Sequence, residues 1–140
     1  MKNTFIQKTV FLLVLFFSSV VLSHGTIIIP NVEHDKGYIM LSIWDSKDSF
    51  LKEDEAIETV RKKANKGKVL VPLSKIHEGQ IAIAVYHDED GNGEMKTGLF
   101  WRPKEGFAFS NNYSPKGPPK FKKAAIMLEH GVPVEIELNY

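Results

Sequence analysis

This chain of 140 residues carries 18 basic and 17 acidic side chains, a formal charge of +1, which gives no long-range pull toward nucleic acid. It contains no cysteine, which excludes disulfides, thiolate catalysis and cysteine-ligated zinc. The length suits one hydrophobic core.

Residues 1–23 have the layout of a secretory signal peptide. Lys2 and Lys8 precede an unbroken apolar run at 10–17, and Ser23 and Gly25 offer cleavage points among small residues. The rival reading is a membrane anchor. However, the apolar stretch 10–22 is interrupted by Ser18 and Ser19, and it falls short of the roughly 20 residues that span a bilayer. Export is therefore expected, to the periplasm or outside the cell, with no membrane insertion after removal of the leader. Residues 24–140 would form one domain of formal charge −1, since the leader takes away Lys2 and Lys8 and no acid.

Beyond the leader, apolar residues recur with period two, the pattern of strands with one buried face. Ile27 to Ile29 opens the series, and Ile39, Leu41 and Ile43 follow. Val69, Val71 and Leu73 form a third group, and Ile81, Ile83 and Val85 a fourth. Ala124 to Leu128 and then Val134, Ile136 and Leu138 complete it. Asp35-Lys36-Gly37, Asn65-Lys66-Gly67, Glu78-Gly79 and His130-Gly131 supply turns between them. Many short strands at this spacing predict an all-β fold, an antiparallel β-sandwich. Residues 52–64 dissent: acids come early and bases late, with Ala56, Ile57 and Val60 on one helical face. A helical or irregular connection is expected there, with a strand at 56–61 as the alternative. Residues 98–121 have no period and hold Pro103, Pro115, Pro118 and Pro119. They form a long loop rich in aromatic residues, of the kind that is functional or packed over one end of the sandwich, the end that also carries the turn at 87–94.

The stretch 87–94 (HDEDGNGE) follows the fourth strand and sets Asp88, Asp90 and Asn92 at alternate positions, with Gly93 and Glu94 behind them. That order matches the first half of a helical calcium loop, where positions one, three, five and seven supply oxygen ligands. The closing bidentate glutamate is missing, because Leu99 stands at position twelve and strands flank the loop. The competing reading is a hairpin turn that uses glycine and asparagine for positive φ. Asp88, Asp90, Asn92 and Glu94 are thus the candidate metal ligands, calcium the candidate ion, and Glu89, Asn111 and Asn112 further oxygen donors.

A second block, Phe107-Ala108-Phe109-Ser110-Asn111-Asn112-Tyr113, together with Trp101, sets flat apolar faces beside amides. Those residue types suit a glycan- or peptide-binding surface. They equally suit rings that cover the core while the asparagines bond loop backbone. Catalytic signals are thin: Ser110 has no Gly-x-Ser-x-Gly elbow around it, and the five histidines show no zinc spacing. Cleavage after Ser23 would expose His24 as an amino-terminal copper chelate, the most specific form of a metal-dependent enzyme.

The segment 82–128 resembles the uncharacterised bacterial family catalogued as domain of unknown function 2141. It holds the alanine-rich strand, the His87-Asp88-Glu89-Asp90-Gly91-Asn92-Gly93 turn, the block from Pro103 through Glu105-Gly106-Phe107 to Asn112, and Gly117-Pro118-Pro119-Lys120-Phe121. Trp44-Asp45-Ser46 with Phe50-Leu51 adds to the likeness. The resemblance implies a small exported β-sandwich, transthyretin-like or immunoglobulin-like, without an established activity. Lys96-Thr97 stands where many members carry another acid, a departure that bears on any metal cage. The expected function is a non-enzymatic binding or accessory module of the bacterial envelope. A calcium-stabilised structural domain is the first alternative and a metal-dependent enzyme the second.

Overall fold

The computed structural model describes residues 25–95 and 104–140. They fold as two packed sheets with the expected β-sandwich character. β1 (Thr26–Val32), β2 (Tyr38–Trp44), β3 (Glu58–Lys63), β4 (Gly67–Pro72) and β5 (Gly79–Asp88) carry most of the structure. β6 (Phe107–Phe109), β7 (Ile126–Leu128) and β8 (Val134–Glu135) are short, and α1 (Phe121–Ala124) is a single helical turn. One sheet runs β4-β1-β8; the other runs β3-β2-β5-β6, with β7 also paired to β5. Pairing is antiparallel except between β1 and β8, which run parallel.

The alternation read from the sequence is the packing. Ile27, Ile29, Ile39, Leu41, Ile43, Val69, Val71, Ile81, Ile83 and Val85 all join one buried cluster, while the intervening Leu70 is 49% exposed. Because strand side chains alternate between faces, each β-branched residue of this set reaches the same inter-sheet layer. Glycine meets the turns where the backbone is left-handed, and Gly37 matters most. Its φ is +67°, and an added Cβ would stand 1.8 Å from the carbonyl oxygen of Asp88.

β5 is buried on both faces. Its outward residues Ala82 and Ala84 are small, so rings can lie directly on the sheet. A second cluster forms there from Ala82, Phe109, Phe121 and Ala124, with Phe50, Phe107 and Tyr113 packed against it. Phe50 sits 5.5 Å from Trp44, 5.8 Å from Phe121 and 6.1 Å from Phe109, mostly edge to face. The described part of the aromatic loop thus covers the outer face of the second sheet rather than one end of the sandwich.

Three expectations change. Residues 52–64 are not a helix: only Glu53–Glu55 makes a 3₁₀ turn, and β3 pairs with β2 over six residues. Thr59 and Val60 disfavour helix, and the exposed edge of β2 offers them a ladder. The basic residues Arg61, Lys62 and Lys63 then line an edge strand, and the Arg61 guanidinium lies 3.4 Å from the Tyr38 ring centroid. The stretch 124–128 starts with the end of α1, so strand begins only at Ile126. The last strand pairs over two residues alone. Beyond it, Asn31 clasps Leu138, donating from Nδ2 to its carbonyl at 2.7 Å and accepting its N–H at 2.9 Å.

Glu58 anchors the β3 edge from within. Its carboxylate is buried and accepts the Ser74 N–H at 2.7 Å, the Ser74 hydroxyl at 2.8 Å and the Lys75 N–H at 3.0 Å. Burial alone would disfavour the charge, but these donors and the Ile76 N–H outweigh it and hold the carboxyl below its usual 4.5. A lowered folded-state pKa means that the stabilisation is present above 4.5 and is lost as pH falls through the folded value. Glu58→Gln should therefore cost about 1–3 kcal/mol at pH 7 and flatten the acid limb of a stability–pH curve below 4.5. Denaturant melts across that pH range check it; parallel wild-type and variant curves would remove the assignment.

Candidate functional site

β5 ends in His87 and Asp88, both fully buried, and the chain then turns through exposed residues 90 and 92–94. His87 is held on both sides. Nε2 lies 2.7 Å from the Lys36 carbonyl, which can only accept, so Nε2 carries the proton. Nδ1 then accepts from the Tyr140 hydroxyl at 2.8 Å, and that oxygen in turn accepts the Glu33 N–H at 3.1 Å. Tyr140 reaches this position across Gly106, where a Cβ would stand 2.4 Å from its ring. Burial raises the Tyr140 phenol above its usual 10. His34 stacks 4.6 Å from His87 and places Nε2 3.2 Å from Glu89 Oε2. His34, His87 and Glu89 therefore cluster, but with both His87 nitrogens already taken by Lys36 and Tyr140 they make a structural network rather than a metal site.

The glycine turn is built by its own side chains. Asp90 accepts the Asn92 N–H at 3.3 Å and the Asn92 side-chain amide at 3.2 Å. Asn92 Oδ1 accepts the Glu94 N–H at 2.7 Å, and Asp88 Oδ2 accepts the Gly93 N–H at 2.9 Å. Gly91 and Gly93 both have positive φ. Asn92 is thus committed to the turn, and the Glu94 backbone is tied to it.

A different acid comes in from across the gap. β6 pairs antiparallel with Ala84–Tyr86 of β5, and the His87 N–H donates to the Gly106 carbonyl at 2.8 Å. That register delivers Glu105, only 4% exposed, beside the end of β5, where its Oε1 accepts the Glu89 N–H at 3.2 Å. Asp88, Asp90 and Glu105 each bring one carboxylate oxygen within 4.8 Å of the others. At an effective dielectric of about 20, each ionised pair repels by roughly 3 kcal/mol. Asp88 Oδ1 is buried with no hydrogen-bond partner among the described residues. Nearby, the Tyr86 hydroxyl donates to the Gly93 carbonyl at 2.8 Å. Its pKa is pushed up to about 12 by burial first, then by the negative charges of Asp88, Glu53, Glu105 and Glu94.

The aromatic block has a different use for its polar residues. Ser110 is fully buried: its Oγ accepts the Ile83 N–H at 2.9 Å and donates to the Ala124 carbonyl. β6 pairs with Ala84 to Tyr86 and β7 with Gly79 to Ile81, so Ser110 fills the gap that the two short strands leave along β5. Asn111 and Asn112 adopt φ of 61° and 49°, a left-handed conformation that asparagine tolerates, and Asn111 Nδ2 donates to the Lys123 carbonyl at 3.0 Å. Phe107 and Phe109 lie in the ring cluster. A cleft of about 280 Å³ opens beside them, lined by Phe109, Asn112, Tyr113 and Ser114 together with Glu137 and Asn139. A larger one of about 350 Å³ lies between β5 and β7, away from both motif blocks, lined by Glu78, Met127 and His130 among others. Trp101 and His24 lie outside the described residues.

The sequence thus pointed to both halves of this region, and the structure adds a third acid beside the turn. Asp88 and Asp90 converge with Glu105, which the spacing along 87–94 did not single out, while Asn92 and Glu94 belong to the turn. The only local signal for Glu105 was its place inside the Glu-Gly-Phe block.

A family model described as uncharacterised protein conserved in bacteria, DUF2141, matches residues 27–136. The chain belongs to the DUF2141 family. The match spans both sheets and every described element from β1 to β8, so the acid cluster and the ring cluster sit inside the DUF2141 region. Comparison with curated proteins and with solved structures found no match. No helix among the described residues is long and apolar enough to cross a membrane.

Proposed function

We propose that this DUF2141 protein is an exported, non-catalytic binding module of the bacterial envelope, and that it takes a short peptide or glycan segment in the cleft beside Tyr113. The cleft is the observation that carries this reading. It brings the half-buried Tyr113 ring together with the polar side chains of Asn112, Ser114, Glu137 and Asn139, so one ring stands among groups that can hydrogen-bond a ligand. Its volume suits one or two sugar units or a side-chain pair rather than a large cofactor. The commitment of Ser110 and His87 to backbone and phenol supports binding over catalysis, because neither is available as nucleophile or base. The leader-like residues 1–23 support export.

Glycan and peptide arrays should return a ligand whose affinity falls at least tenfold in Tyr113→Ala and in Glu137→Ala, about 1.4 kcal/mol each. Calorimetry on the purified proteins measures it. Equal binding by all three proteins would overturn the cleft assignment, and arrays without any bound ligand would overturn the reading itself. Mass measurement of the protein recovered from the cell envelope should find residues 1–23 gone; an intact N-terminus would remove export.

A further inference from the structure

We propose that Asp88, Asp90 and Glu105 form a calcium site that joins the end of β5 to the residue leading into β6. Asp88 is fully buried and Glu105 nearly so, and with Asp90 they bring carboxylate oxygens within 4.8 Å of one another. Acids that crowd on a surface gain little from an ion, but these two are inside. Independently, Asp88 Oδ1 is buried without any hydrogen-bond partner among the described residues, while its sister oxygen takes the Gly93 N–H. Buried carboxylate oxygens are ordinarily satisfied, so an orphan oxygen on a member of the acid cluster is a second sign of a cation held there.

The donor set selects the ion. All three ligands are hard carboxylate oxygens with no imidazole or sulfur among them, which favours calcium or magnesium over zinc or copper. Calcium binds oxygen at about 2.3–2.6 Å, so oxygens across the ion stand roughly 4.6–5.2 Å apart, which accommodates the observed spacing. Magnesium, at about 2.0–2.1 Å, demands a tighter octahedron. Asp90 is exposed, which leaves its side of the ion open to water and completes a coordination shell of six or more. Three carboxylates with an open side place the affinity at a Kd of about 10⁻⁴–10⁻³ M, as in extracellular calcium modules. In this arrangement Asn92 shapes the turn, its Oδ1 taken by the Glu94 N–H, and the Glu94 carboxylate is not among the converging acids.

The site does not depend on the Tyr113 cleft, and its test is separate. Thermal melts of the full protein in 10 mM calcium against chelator should show Tm rising by about 5–10 °C. Terbium luminescence displaced by calcium should report the affinity directly. Asp88→Asn and Glu105→Gln should each weaken calcium binding at least tenfold and abolish the Tm rise, whereas Glu94→Gln keeps both. In chelator, Glu105→Gln should keep the wild-type circular dichroism spectrum and a single cooperative melt, which distinguishes a lost ligand from a damaged fold. Should Asp88→Asn fail to fold, Asp90→Asn serves in its place. No Tm rise in the wild type, or wild-type titrations in Glu105→Gln, would overturn the site; an equal response to magnesium would overturn calcium as its ion.

Discussion

Gly37→Ala is expected to destabilise the fold by about 3 kcal/mol or more, because the added methyl group meets the closest backbone contact found at any glycine among the described residues. Two costs coincide at that position. An alanine at φ +67° pays roughly 1–2 kcal/mol for left-handed backbone. The new Cβ would also stand 1.8 Å from the Asp88 carbonyl oxygen and 2.8 Å from the Glu89 carbonyl carbon. Those are backbone atoms, so no rotamer change relieves the overlap; the turn between β1 and β2 has to move away from the end of β5. That movement breaks two further links, because the Gly37 carbonyl accepts the Ala64 N–H and the Lys36 carbonyl accepts from His87. Gly93→Ala is the control. Its φ is +79° but nothing lies within 4 Å of the added carbon, so it should cost only the backbone part, about 1–2 kcal/mol. Denaturant melts of both variants measure the difference. Equal losses would mean that the close approach of Gly37 to β5 contributes nothing.

Ser110→Ala should cost about 2–4 kcal/mol, although it removes a single oxygen. That oxygen serves two backbone groups in a fully buried place, the Ile83 N–H and the Ala124 carbonyl, and alanine offers neither a replacement. An unsatisfied buried donor or acceptor costs roughly 1–3 kcal/mol. The loss should be local as well as global. In hydrogen exchange, the Ile83 amide should lose protection more than its neighbours on β5, which remain paired to β2. Asn111→Gly removes a contact only at the surface and keeps a residue suited to positive φ, so it should stay within about 1 kcal/mol of wild type. A Ser110→Ala protein as stable as wild type, with Ile83 still protected, would show that water or a shift of β6 replaces the hydroxyl.

These two positions show how far the sequence could be read. Ser110 stood out because it lies among aromatic residues and asparagines, a composition that fits a ligand surface and a packed lid equally well. The alternatives separate only when β6 and β7 are seen to stop short of each other along β5 and leave the edge of Ile83 that faces away from β2 without a strand. Gly37 was legible as a turn residue, but its contact with Asp88 is between segments 51 residues apart. The edge strand β3 was misread for a related reason. Acids before bases satisfy a helix locally, whereas the β2 ladder that Thr59 and Val60 join is not local.

The sequence by itself determined the inner layer of the sandwich and its corners. Alternation of β-branched residues requires only the two-residue repeat of a strand, and positive-φ turns require only glycine at the bend, so both are written in neighbouring residues. It also marked Asp88 and Asp90 as oxygen donors on one turn. Only the tertiary structure decided what meets them. The antiparallel register of β6 on β5 turns a sequence separation of 17 residues between Asp88 and Glu105 into adjacency. It also buries the side chains of Asp88 and Glu105 at the end of β5. Spacing along a chain reveals which side chains share a face, but burial and convergence depend on which strands pair, and pairing is settled by the whole core at once.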